Sequence, residues 1–407
     1  MESKKELKQI LEQNSSINKE IRYTRGLMRK NMSELKFFNG INKEIKIILR
    51  KALNSELITS DDALKLLKTT GNEFFALQYV ANKLCIEKTQ NIVTFIINRN
   101  INFTNICYQN CRFCSFRVGA TDNEAFSLSV DELRKKVEEA YNNKCSEVCI
   151  QGGINPDLDF EYYLDILRTV KEIDENIHIH AYSPQEVYHM SKLSDQTIKD
   201  TLLALKKAGL DSMPGTAAEI LVDKIRKIIC PNKVNVEDWV NIIETAHLLG
   251  IPTTSTMMYG HIEKLNDRVE HLEILRTIQQ KTKGFTEFVP LPFVKENPIL
   301  SKLENHPLKT HYGMGDFKLF CVARLYFNNL IDNIQCSWVK LGPKMAQLSL
   351  NYGVNDFSGT LMEENISKSA GAEYGEYLSA EEIIRIIKDA GRIPAQRDTL
   401  YNIIQKF

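Results

Sequence analysis

Cys107, Cys111 and Cys114 occupy eight residues of the segment NFTNICYQNCRFCSF, spaced C-x3-C-x2-C. Neither the period of a helix nor that of a strand turns all three sulfurs to one face, so a loop must wrap around something there. Three thiolates can hold three irons of a cubane cluster, which normally takes four cysteines, and one iron is then left open. An open position marks a reactive metal centre rather than a structural one, by the logic that separates catalytic from structural zinc. Two plainer readings compete: a zinc knuckle, and three ordinary buried thiols. The knuckle needs a fourth ligand close by, yet the next cysteine is Cys145 and the nearest histidine His178.

Other residues able to do chemistry follow short apolar runs. Gly152 and Gly153 in VCIQGGINP allow backbone to approach a ligand with no Cβ in the way, or simply make a turn. In IHIHAYSPQE the alternation of a strand sets His178, His180 and Tyr182 on one side, with Ser183 and Glu186 at its exit. His180 stands closest to that exit and is a candidate to touch substrate; a hydrogen-bonded core histidine is the plainer reading. Glu219 in PGTAAEIL and Glu287 in FTEFVPLPF are carboxylates near run ends, and Arg117 follows the cysteines. TSTMMYGH is core packing or an apolar wall. The polar GVNDFSGTLMEENIS is expected to close over a polar substrate.

The elements that must position these residues follow from the pattern. Strands are expected over 92–97, 101–106, 146–150, 177–182, 210–213, 251–258, 285–290 and 332–339. Helices are expected over 129–143, 159–174, 194–208, 217–229, 235–249 and 264–282. Such repeated βα units predict an α/β fold, a TIM-type (β/α) barrel in which the glycine-, proline- and polar-rich strand exits share one rim. The segment before it reads as helical, with Thr59 and Ser60 as cap residues, so three parts are expected: a helical extension over 1–86, the barrel core over 87–345, and a C-terminal segment over 346–407 that closes it.

Composition narrows the classes. The 407 residues carry 52 basic and 52 acidic side chains, so there is no basic excess of the kind that nucleic-acid readers use. The first fifty residues hold twelve Lys and Arg against six Asp and Glu, read as a charged, solvated helical stretch. No window is apolar enough for a membrane span, and MESKKELKQI lacks the apolar core of a secretory signal, so the expected location is the cytoplasm. Nine scattered cysteines do not make a disulfide framework there.

The cysteine spacing with Phe113 before the last sulfur resembles the cluster motif of the radical S-adenosylmethionine (SAM) superfamily. The ordered string NFTNICYQNCRFCSF, VCIQGGINPDL, IHIHAYSPQEV, AGLDSMPGTAAEIL, ICPNKVNVEDW, TSTMMYGHIE, GFTEFVPLPF and NDFSGTLMEENIS is similar to the CofH family, the tyrosine-using half of FO synthase. The resemblance implies a radical SAM barrel with a 4Fe-4S cluster on Cys107, Cys111 and Cys114, whose open iron takes SAM. It implies SAM contacts from Phe113, Gly152, Gly153 and Ser183, and substrate contacts from His180, Glu219 and Glu287. The implied reaction joins the 4-hydroxybenzyl group of L-tyrosine to 5-amino-6-(D-ribitylamino)uracil, through a 5′-deoxyadenosyl radical that takes hydrogen from the tyrosine amino group. A cyclising, CofG-like partner subunit and a low-potential electron donor are implied with it. The alternatives are a radical SAM enzyme of the futalosine menaquinone route and a non-catalytic iron-sulfur electron-transfer module.

Overall fold

The computed structural model describes Phe38, residues 40–305, 307–308 and 313–407. Most of the charged stretch expected to be helical at the start of the chain therefore lies outside the described residues. Three helices come first: α1 (Lys43–Leu53), α2 (Ser60–Leu67) and α3 (Gly71–Thr89). Thr59 caps α2, exchanging hydrogen bonds with Asp62 in a capping box. Leu49, Leu66, Leu77 and Val80 of these helices are fully buried in one apolar cluster with Phe95, Phe288 and Phe320. Each such side chain contributes about 1.5–3 kcal/mol by leaving water. The helices thus share the barrel's core.

The βα series follows as β1 (Ile92–Ile96), β2 (Asn98–Asn102), α4 (Val130–Asn142), β3 (Glu147–Gln151), α5 (Phe160–Ile173), β4 (His178–Ala181), α6 (Pro184–Leu193), α7 (Ile198–Ala208), α8 (Asp223–Ile229), α9 (Val236–Leu248), β5 (Thr253–Tyr259), α10 (Leu265–Thr282) and β6 (Phe285–Pro292). Then come α11 (Gly313–Tyr326), α12 (Trp338–Leu341), α13 (Pro343–Ser349), β7 (Asp356–Gly359), α14 (Asn365–Ser369), α15 (Ala380–Asp389), β8 (Ile393–Arg397) and β9 (Ile403–Lys406).

The strand pairings close a ring. β2 pairs with β3 and β3 with β4, both parallel. Bridges from His180 to Ser212 and from Met213 to Thr253 carry the ladder to β5, which pairs with β6. Further bridges from Phe288 to Ile334 and from Gln335 to Asp356 lead to β7, which pairs with β1. β1 and β2 are one strand bent at Ile97, so the circuit is complete and all parallel. The fourth and seventh staves, expected as strands over 210–213 and 332–339, are reduced to single bridges, and residues 338–341 are helical instead.

β8 lies beside the first half of β1, on the side where β3 lies beside β2, and β9 pairs antiparallel with β8. This hairpin floors the barrel at the end where the strands begin. The polar segment GVNDFSGTLMEENIS, expected as a closing loop, supplies the eighth stave through Asp356–Gly359, and its remainder lies at the rim. The limits drawn at 86 and 345 fall inside α3 and α13. Among the described residues no helix is long and apolar enough to cross a membrane.

Candidate active site

Strand alternation decides what the barrel encloses. Asn98, Asn100 and Asn102 of β2, Glu147, Cys149 and Gln151 of β3, and Glu287, Val289 and Leu291 of β6 all face one cavity of about 410 Å³. Their neighbours Val148, Ile150 and Phe288 turn outward into the helix layer. Many barrels fill this space with branched apolar side chains. Here the interior mixes polar with apolar side chains and is left unfilled, so the site runs from the rim down into the barrel. Cys107, Cys111, Cys114, Phe113, Gly152, Gly153, Ser183, His180, Glu219, Glu287 and Arg117 all line it.

The cysteine loop leaves β2 and is tied down by backbone bonds. Cys107 N–H donates to the Val118 carbonyl at 3.2 Å, Tyr108 N–H to Ile154 at 3.2 Å, and Arg112 N–H to Ile229 at 2.8 Å. The two glycines matter here for packing. A Cβ on Gly152 would stand 2.5 Å from the Phe103 ring, and one on Gly153 would overlap the Ile106 carbonyl and reach 3.0 Å from Cys107 Cβ. Gly153 is what lets the cysteine loop lie against the end of β3. The Gly152 N–H donates to Glu186 at 3.0 Å and the Gly153 N–H to Thr104 at 2.8 Å.

Ser183 is the N-cap of α6, and its hydroxyl donates to Glu186 at 2.6 Å. Glu186 thereby joins the exits of β3 and β4. Burial pushes its carboxyl up to about 7, against the pull of hydrogen bonds from Ser183 and Gly152. Tyr182 does not share the histidines' side. Its φ of 60° breaks the alternation, and its hydroxyl donates to the Tyr163 carbonyl at 2.7 Å in the outer layer. His178 and His180 do face inward and share the Ser212 hydroxyl, each at 2.7 Å. Burial holds His180 down at about 4, so it is neutral near pH 7, and its Nε2 has no bond to protein among the described residues.

Glu219 pairs with Lys233 at 2.6 Å, and the Lys233 ammonium lies 5.3 Å from the centre of the Phe113 ring. Burial would lower Lys233, but the Glu219 carboxylate outweighs it and holds the ammonium charged. On the floor, Glu287 Oε2 accepts from Gln335 at 2.8 Å and from the Tyr401 hydroxyl, while Arg397 approaches at 3.8 Å. Burial still pushes Glu287 up to about 7, with Arg397 opposing. Arg397 is engaged mainly by Asp356, at 2.5 and 3.1 Å.

Several of these groups escaped the sequence reading. The alternation in NRNIN marks the three inward asparagines. Lys233 sits in a segment with no periodic signal. Arg397 and Tyr401 come from a hairpin some 300 residues from β1, and no local pattern announces them.

The residues fit a cubane cluster. All three cysteines are free and line the same cavity. The backbone N–H groups of Arg117 and Phe116 donate to the Cys114 sulfur, the kind of bond that steadies cluster thiolates. Among the described residues no three His, Cys, Asp or Glu side chains converge as a single ion requires. A cubane, whose sulfur ligands go to separate corners, makes no such demand. Burial raises the Cys111 and Cys114 thiols, so loading of metal must displace their protons.

Residues 101–275 match the model of the radical SAM superfamily, and residues 282–406 that of the CofH/MqnC C-terminal region. The protein "5-amino-6-(D-ribitylamino)uracil--L-tyrosine 4-hydroxyphenyl transferase" of Archaeoglobus fulgidus is 51% identical over 80% of this chain and 92% of its own length. Proteins of the same name from Methanothermobacter thermautotrophicus and Methanocaldococcus jannaschii are 48% and 51% identical over 90% and 86% of this chain, and 99% and 97% of theirs. In fold the chain is similar to methylornithine synthase (PylB), with TM-score 0.67 at 17% identity over 86% of this chain and 97% of that one. The [FeFe]-hydrogenase maturase HydG gives TM-score 0.68 at 17% identity, over 88% and 78%. By its barrel, its cysteine loop and near half-identity along most of its length, the chain belongs to the radical SAM superfamily and, within it, to the family of 5-amino-6-(D-ribitylamino)uracil--L-tyrosine 4-hydroxyphenyl transferases.

Proposed function

We propose that the chain joins the 4-hydroxybenzyl group of L-tyrosine to 5-amino-6-(D-ribitylamino)uracil, with 2-iminoacetate, methionine and 5′-deoxyadenosine as the other products. The observation that carries this reading is the near half-identity to transferases of that name over 80% or more of the chain. A 4Fe-4S cluster on Cys107, Cys111 and Cys114, with SAM at its open iron, supplies a hydrogen-abstracting carbon radical when bound.

The chain's own work is to bind, orient and keep water out. Phe113, Gly152, Gly153 and Ser183 border the space proposed for SAM. Of these, Gly152 and Ser183 act through Glu186, which holds two strand exits in register. Deeper in, Asn98, Asn100, Gln335 and Thr256 offer donors and acceptors suited to a pyrimidine and a ribityl chain. His180 is neutral, and the hydrogen bond at Nδ1 sets which proton its Nε2 carries. Glu287 titrates near 7, so it can accept or return a proton at the phenol or at the pyrimidine. Glu219 is read as a substrate contact from its position, and its pairing with Lys233 makes its role one of charge balance at the wall. The β8–β9 hairpin bars solvent from below.

An external low-potential electron donor is needed, and the product still lacks a closed ring, so a cyclising CofG-like partner is proposed to consume it. The test is an anaerobic incubation of reconstituted protein with reductant, SAM, tyrosine and the diaminouracil. It is expected to yield 5′-deoxyadenosine and the coupled product by mass, while a futalosine-type substrate stays unchanged. Cys114→Ala is expected to lose both bound iron and 5′-deoxyadenosine formation. A wild-type protein that forms neither product refutes the proposal.

A further inference from the structure

Four cations line the barrel cavity among the described residues, and two of them are already matched: Lys233 by Glu219 at 2.6 Å and Arg397 by Asp356 at 2.5 Å. Arg117 is half-buried on the cysteine loop. Lys340, on α12, is different from both matched groups. Its ammonium donates to a neutral hydroxyl, Ser367 Oγ, at 2.9 Å, and it forms no ion pair with a carboxylate of the described residues. It borders both the barrel cavity and a second cavity of about 410 Å³ that shares the wall at Pro292, Phe293 and Val294.

Its position is built. Trp338 is fully buried two residues earlier and donates from Nε1 to the Gly359 carbonyl at 2.9 Å, which pins α12 to the end of β7. Gly342 ends the helix at a φ of 78°, where a Cβ would also stand 2.8 Å from the Tyr374 ring. Together these two anchors fix the backbone that carries Lys340 at the cavity wall. Burial lowers its pKa, and only the more distant Glu364, Glu219 and Cys114 oppose this. An ammonium has three protons to donate, and Ser367 takes one. Lys340 is partly buried; leaving such a cation unmatched has a cost, and a ligand that carries the missing anion removes it.

We infer that Lys340 receives the carboxylate of an α-amino acid in the barrel cavity, that of tyrosine or that of SAM. The identity of those two ligands rests on the proposed function; the unmatched ammonium does not. Each has an α-amino acid end whose carboxylate a cation on the cavity wall can match.

The test compares each acid with its decarboxylated counterpart on the reconstituted, anaerobic full chain, by equilibrium dialysis. One arm uses L-tyrosine and tyramine, the other SAM and decarboxylated SAM. Wild type is expected to prefer the acid in both arms. Lys340→Met is expected to cut that preference at least tenfold in one arm, which names the carboxylate it holds, and Lys340→Arg to keep more of it. A variant that is merely misfolded weakens acid and amine alike and leaves the ratios unchanged; iron content and melting temperature are read alongside. Unchanged ratios in both arms for a variant with wild-type iron content and melting temperature overturn the inference, as does loss of the preference in Arg117→Met but not in Lys340→Met. If wild type binds no tyrosine, the proposed function fails while the SAM arm still decides the role of Lys340.

Discussion

Glu287 is one of two cavity carboxyls, with Glu186, that burial pushes up to about 7. Its carboxyl titrates near 7 in the folded chain because burial disfavours the anion, against about 4.3 when unfolded. The native state therefore binds the extra proton between those values, and wild type loses stability as pH rises from about 4.5 to about 7. Glu287→Gln has no such proton to lose. Its urea midpoint is expected to gain on wild type across that window and to stay level above it, and a gap that does not change with pH contradicts the assignment. The same exchange is expected to lower coupled-product formation more than 5′-deoxyadenosine formation, since Glu287 lies on the floor beside Tyr401 and Gln335 and away from the cysteine loop.

At the scale of elements, the meeting of the cysteine loop with the exit of β3 depends on an absent atom. Gly153→Ala puts a Cβ against the Ile106 backbone, which cannot rotate away as a side chain would. It is expected to cost about 1–3 kcal/mol in chemical denaturation and to reduce iron loading. Gly119 lies in the same loop with open space around it, so Gly119→Ala is the control and is expected to change neither. Outer helices with an apolar stripe on a polar background are legible, as 129–143 against Val130–Asn142 and 264–282 against Leu265–Thr282 show, whereas the helix expected over 217–229 is confined to Asp223–Ile229. α6 was missed because Pro184 follows a strand directly and reads as a turn, although it stands at the first helical position, where proline is accepted. The strand DFSG has no apolar alternation because its inward residues serve other ends: Asp356 binds Arg397 and Thr94, and Ser358 lines the cavity. That the cysteines and the glycine pair line the cavity follows from their places after strands, and that His180 and Glu287 do so follows from strand alternation. The floor was not, since it is assembled from residues far apart in the chain.

For the molecule as a whole, the buried pair of Arg397 and Asp356 locks the C-terminal hairpin to the ring. Asp356 also accepts from Thr94 at 2.6 Å, so one carboxylate ties β7, β1 and β8 together. Asp356→Asn leaves Arg397 buried without its main partner, and a loss of about 3–5 kcal/mol is expected from denaturation. Adding Arg397→Met to that variant removes the stranded charge and is expected to recover part of the loss; strict additivity of the two changes would show that the pair is not coupled.

The floor also sets a schedule for biosynthesis. Thr94 must wait for Ala395, its partner in β8, before its side of the sheet is covered. At roughly 5–20 residues per second, the roughly 300 residues between them take a ribosome about 15–60 s to make. One edge of β1 stays unpaired throughout that interval; the ring itself closes only when β7 emerges, and from then until the last hairpin follows it is a tube open at the base. A cell that makes this protein must shield that edge until the last hairpin emerges, and any iron delivered earlier meets water from below.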